Sequence, residues 1–221
     1  MKKLAVVVAF VFALYVPLAH ATAELKLSDG INTVTIVDGG VGDSCGSANC
    51  VTWVGTLDNW TLNVTTGLDG SASAPAIIHL NSVDTAVANA GTLTITFSDT
   101  GFTATPPGFL FTASVFGTQG PFSGTFAAFG DAGNTLFAQT TQIGSTLSFT
   151  GSGTGQTQGA NTLGALYSLT EVATLNFNNS PGSGSFDAAV EAVPEPGSIA
   201  LLGTALVGCA AIFRRRLSKR S

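Results

Sequence analysis

Along much of this 221-residue chain, polar and apolar side chains alternate one for one. Residues 61–65 read Thr-Leu-Asn-Val-Thr, and residues 92–97 read Thr-Leu-Thr-Ile-Thr-Phe. A period of two sends successive side chains to opposite faces, which is the pattern of a strand buried on one side. Related runs recur at 25–27, 33–37, 51–57, 77–80, 110–116, 124–129, 136–143, 146–149, 167–177 and 184–190. Gly, Asp, Asn, Ser or Pro punctuates them, as turns require. The pattern predicts an all-β fold, an antiparallel β-sandwich or jelly-roll of roughly ten to twelve strands. Residues 163–169 offer a helical turn instead, which Gly164 weakens. Residues 151–159, rich in Gly, Thr and Gln, are expected to form a mobile loop between strands.

Two segments break the alternation, and both lie at the ends. Lys2 and Lys3 precede an apolar run over 4–18, and Ala19-His20-Ala21 follows. That order is a secretory signal peptide over 1–21, with Ala19 and Ala21 as the small residues of the cleavage site. At the other end, Val193-Pro194-Glu195-Pro196 and Gly197 lead into an apolar run over 198–213, then Arg214, Arg215 and Arg216. At a helical rise of ~1.5 Å per residue that run reaches about 24 Å. Snorkelling arginines extend it toward the ~30 Å of a hydrocarbon core, giving one short C-terminal transmembrane helix. The arginines should stay cytoplasmic. The prolines hold the preceding segment extended and open to a protease. The chain therefore divides into a signal peptide (1–21), a secreted β-domain (22–192) and a tail (193–221).

Pro194-Glu195-Pro196, a short transmembrane run and a terminal Arg cluster, in that order, resemble the PEP-CTERM sorting signal. The resemblance implies export by a Gram-negative bacterium that makes exopolysaccharide. It also implies handling of the tail by an exosortase-like membrane enzyme after passage through the secretion machinery. The expected destination is a transient inner-membrane anchor, then the cell surface or extracellular matrix. Parts of the middle are similar to the globular regions upstream of such tails: residues 27–30 (Leu-Ser-Asp-Gly), Trp60 before a strand, and residues 91–95 (Gly-Thr-Leu-Thr-Ile). No activity follows from that likeness.

Charge changes the picture once the ends are set aside. Seven of the eight basic residues lie in the two end segments. Residues 22–196 keep Lys26 alone against all 13 carboxylates, a net charge of −12. Nucleic-acid and phosphate surfaces need clustered Lys and Arg, so those partners are excluded. Cys45 and Cys50 flank four residues, and export favours a disulfide between them.

Candidate chemistry is sparse. His79 is the one histidine left after signal cleavage, and its apolar surroundings favour a structural role over catalysis. No nucleophile-elbow pattern accompanies it, so no catalytic residue is assigned and the domain is expected to be non-enzymatic. No cofactor is called for. Asp38 and Asp43 flank a Gly-rich loop that could wrap calcium, although turn carboxylates more often cap backbone N–H groups. Asp29, Asp99 and Asp131 are further loop carboxylates on this reading. Trp60 could offer a platform for stacking on a sugar ring, although core packing or a strand-end staple is the commoner role for such an aromatic. The leading expectation is a structural or adhesive protein of the exopolysaccharide matrix. The alternative is a carbohydrate-binding module, with calcium as a candidate ion for its ligand site.

Overall fold

The computed structural model describes residues 23–68 and 77–193. The signal peptide, Ala19 and Ala21, and the tail with Pro194, Glu195, Pro196 and Arg214–Arg216 lie outside the described residues. Thirteen strands are found among the described residues: β1 (Glu24–Ser28), β2 (Thr33–Val37), β3 (Thr52–Leu57), β4 (Trp60–Leu68), β5 (Ile77–Ala86), β6 (Thr92–Phe102) and β7 (Gly108–Gln119). They continue with β8 (Ser123–Asp131), β9 (Thr141–Gln142), β10 (Leu147–Phe149), β11 (Gly153–Ala160), β12 (Tyr167–Asn176) and β13 (Gly182–Val193).

The alternating pattern becomes two antiparallel sheets packed face to face. One runs β10-β8-β12-β6-β1-β2, with β9 also on β8; the other runs β11-β7-β13-β5-β4-β3. The orders β6-β12-β8-β10 and β5-β13-β7-β11 are those of a jelly-roll, in which two Greek keys wind around each other. β1 and β2 extend one sheet and β3 and β4 extend the other on the same side. The all-β expectation is met.

Inward positions follow the period of two. Leu93, Ile95 and Phe97 of β6 are fully buried, as are Trp60, Leu62 and Val64 of β4. Rings join the two sheets, Phe126 meeting Phe186 at 5.1 Å and Tyr167 meeting Phe109 at 5.9 Å, while Phe122 and Phe177, beyond the strand ends, meet at 5.4 Å. Between β3 and β4 the hairpin loop is Asp58-Asn59, with Asp58 at φ 47, the positive value that primed turns ask of their first loop residue. Gly55 lies beneath the Trp53 indole, where a Cβ would come within 2.6 Å of the ring.

Three expectations are corrected. Residues 136–143 form only the short β9, because residues 132–140 cross the outer face of the first sheet instead. There Phe137 N–H donates to Ser98 Oγ (3.0 Å), Ser168 Oγ donates to the Thr135 carbonyl (2.8 Å), and Lys26 sits 4.1 Å from the Phe137 ring. Residues 153–160 are the regular edge strand β11 rather than a loop. The helical alternative at 163–169 gives way to the start of β12.

Candidate functional site

β13 is an interior strand of its sheet, paired with β7 on one side and β5 on the other. Its last residue, Val193, lies opposite Gly108 at the start of β7 and directly precedes Pro194. Interior strands are the best-held elements of a sheet, so the tail is joined to the firm part of the domain. The first sheet begins at the same end. Tyr167, at the start of β12, packs on Phe102 and Phe109 and donates to the Ala104 carbonyl at 2.7 Å. Burial pushes its phenol up to about 12. That end also carries the loop between β2 and β3, since Asp38 N–H donates to the Ala23 carbonyl.

This loop contains the acidic pair singled out from sequence. Asp43 Oδ1 accepts from Cys45 N–H (2.8 Å) and Thr52 N–H (2.9 Å), and Oδ2 accepts from Gly39 N–H (2.9 Å). Asp38 Oδ2 accepts from Asn49 N–H at 2.7 Å. Desolvation opposes ionisation at Asp43, but the bonds from Thr52, Cys45 and Gly39 outweigh it and hold the carboxyl below its ordinary value. Cys45 and Cys50 are disulfide-bonded, with Cα atoms 5.9 Å apart. An open hollow of about 290 Å³ is lined by Asp38, Gly39, Cys45, Gly46, Ser47 and Ala48. Among the described residues no cluster of three or more His, Cys, Asp or Glu side chains is placed to hold a metal ion. The two carboxylates are occupied as backbone acceptors, and one oxygen of Asp38 is left for an ion.

Trp60 is fully buried, contacts Phe177 at 5.7 Å, and donates its indole N–H to the Ala90 carbonyl at 2.7 Å. It has no ring face in solvent, so of its two readings Trp60 takes the core anchor and not the sugar platform. His79 lies half-buried on the outer face of β5, opposite Gly67 of β4 and Ala189 of β13.

The chemistry that sequence reading missed lies inside the sandwich. Asp84 on β5, Asp99 on β6 and Glu171 on β12 are all buried, with Asp84 Oδ2, Asp99 Oδ2 and both Glu171 carboxyl oxygens unpartnered. Asp99, expected in a loop, is in a strand. Ser82 Oγ donates to Asp84 Oδ1, and Thr100 N–H donates to Asp99 Oδ1 at 2.7 Å. The space beside Asp84, bounded by Phe122, Leu175, Phe177 and Phe186, leaves no room for a water. Burial pushes Asp84 up to about 7 despite the Ser82 bond. Burial pushes Asp99 up to about 6, against the Thr100 bond and with help from the Asp38 charge. Glu171 is held well above its ordinary value by burial first and the Asp187 charge second. An unpaired carboxylate in such a place is costly, and that cost is what shifts all three groups toward the neutral acid.

Comparison with known proteins places one segment of the chain. No curated protein matches the sequence. Similar solved structures include the enzymatically active domain of bacteriophage CBA120 tailspike protein 4 (12% identity, TM-score 0.34, covering 62% of this chain). This chain spans only 20% of that domain. The module TmCBM61, solved with β-1,4-galactotriose, gives 8% identity and a TM-score of 0.32 over 59% of this chain and 88% of its own. The xylan-binding domain CBM22-1 of Paenibacillus barcinonensis Xyn10C gives 12% and 0.31 over 64% and 90%. At this level none of the three says what this chain binds. Residues 192–216 match the PEP-CTERM protein-sorting motif, which indicates export and membrane-anchored sorting and is generally processed by exosortase. The motif takes over where the last interior strand ends, so the chain is an all-β sandwich that carries the PEP-CTERM sorting motif at its end.

Proposed function

We propose that this is a non-enzymatic β-domain delivered to the cell surface or exopolysaccharide matrix, where its role is structural or adhesive. The observation that carries the reading is the join between domain and motif. The motif begins at residue 192, inside β13, and only residues 194–197 separate that strand from the apolar run. Four extended residues reach at most about 14 Å. While the tail is anchored, the end of the sandwich bearing Val193 is therefore held close to the membrane. The Pro-Glu-Pro segment lies in that gap, where a membrane enzyme can reach it and the domain cannot drift away. Cutting there frees a folded domain whose strands are all retained. The net charge of −12 and the single Lys26 suit a protein that stays soluble at the surface and does not cling to anionic polymers.

Fractionation of cells with and without the processing enzyme tests this. The expected result is a domain found outside normal cells and in the membrane fraction of deficient ones. Equal release from both sinks the sorting role of the tail.

A further inference from the structure

We propose that β11 is a self-association edge, along which a second copy of this chain pairs antiparallel and joins the two six-stranded sheets into one. β11 ends the order β11-β7-β13-β5-β4-β3 and pairs with β7 in unbroken register from Gly153↔Val115 to Ala160↔Gly108. The direction of its backbone groups follows from one bond. Asn161 N–H donates to the Pro107 carbonyl at 3.2 Å, and these residues continue the same register. In an antiparallel ladder, residues bonded to the neighbour alternate with residues facing away. Gly153, Gly155, Thr157 and Gly159 therefore bond to β7. Thr154, Gln156, Gln158 and Ala160 point their N–H and C=O groups outward, and no other strand among the described residues pairs with β11.

Native sheets usually block such an edge with charge, proline, a bulge or brevity. β11 has no charged residue, no proline and no register shift. The other edges are blunted. β10 has three residues and β2 has five. At β3, Thr52 is already engaged, its carbonyl by Ser44 N–H (2.8 Å) and its N–H by Asp43.

A second copy fits for reasons of symmetry and charge. With a two-fold axis at Thr157, Gln156 falls opposite Gln158 of the second copy, and Thr154 falls opposite Ala160. These are all outward-facing residues, so each pair exchanges two N–H···O bonds and every outward group from 154 to 160 is satisfied. Residues 22–196 carry net −12, which repels copies elsewhere. On this sheet the carboxylates nearest the β11 edge, Asp187 and Glu191, lie on β13, two strands in, or about 10 Å at the usual strand spacing. Gln side chains facing across the seam add hydrogen bonds of the kind found in stacked amide ladders.

The test uses the full chain in detergent, with Cys209→Ser to remove the unpaired thiol. On the axis, Thr157 of each copy forms a non-hydrogen-bonded pair with Cα atoms ~4.5 Å apart, within disulfide range. Thr157→Cys should oxidise to a species of twice the mass, while Thr61→Cys on the open face of β4 should not. Gln156→Lys with Gln158→Lys sets like charges across the seam and should return the chain to a monomer by light scattering, with tryptophan emission unchanged. Mixing that variant with Gln156→Glu/Gln158→Glu should restore the pair. A monomer at every concentration, or a dimer indifferent to the lysines, overturns the proposal. A cross-link to a protein of another mass overturns the second copy as occupant. Sorting by the tail does not depend on the outcome, and its failure would leave this seam intact.

Discussion

Asp84, Asp99 and Glu171 give the domain an unusual response to pH. Each has a raised folded-state value, so the folded state holds protons that the unfolded state has already lost above about 4. Their contribution is full below that value and falls as pH rises, until Asp99 and Asp84 have passed about 6 and about 7. Asp29, Asp43 and Asp131 act the other way. Their carboxyls are held below the ordinary 3.8, so their contribution is present above that value and lost as pH falls through the folded values. The two sets together predict maximal stability in mildly acidic solution, between about pH 4 and 5. Denaturant midpoints from pH 3 to 9 check this, and a maximum at pH 7 or above contradicts it. Asp84→Asn should flatten the decline between pH 4 and 7. Trp60 is the second residue with a large expected effect. Trp60→Ala removes a fully buried ring and its bond to the Ala90 carbonyl, and should cost about 3–5 kcal/mol in urea unfolding. A loss below 1 kcal/mol would mean that the ring is not the anchor described.

At the level of elements, legibility in the sequence followed side-chain contrast. β4 and the first half of β6 show in the alternation because their inward residues are large and apolar while their outward ones are polar. β11 does not, because its inward positions include Gly153, Gly155 and Gly159, which offer nothing to bury. Backbone bonds to β7 hold it, and those leave no trace in a hydropathy pattern. Along β5 the contrast is inverted. Ile78 and Leu80 fix the inward face, and continuing that parity puts Ser82 and Asp84 inside and Val83 outside, 59% exposed. The buried acids were unreadable for that reason, since a polar residue in an alternating strand is taken to face water. The β2–β3 loop was more legible: two cysteines a short distance apart in an exported domain bond to each other. Cross-linking so short a loop stabilises by about 2 kcal/mol on the chain-entropy account. Reduction, or Cys45→Ser with Cys50→Ser, should lower stability by that order and leave far-ultraviolet circular dichroism unchanged. A change in strand content on reduction would show that the loop organises more of the sandwich than its own end.

For the whole molecule, organisation follows from where the strands finish. The jelly-roll places the end of β13 in the middle of a sheet, and the sorting motif starts there without a linker. Processing at Pro194–Pro196, as proposed above, would divide the chain between the folded domain and the tail without unfolding any strand from β1 to β13. The central claim is that this division occurs. Intact-mass analysis of the protein recovered from outside the cell reads both termini at once. The account predicts a form that begins after Ala21 and lacks the residues from 198 onward. A released protein that still ends at Ser221 would contradict it.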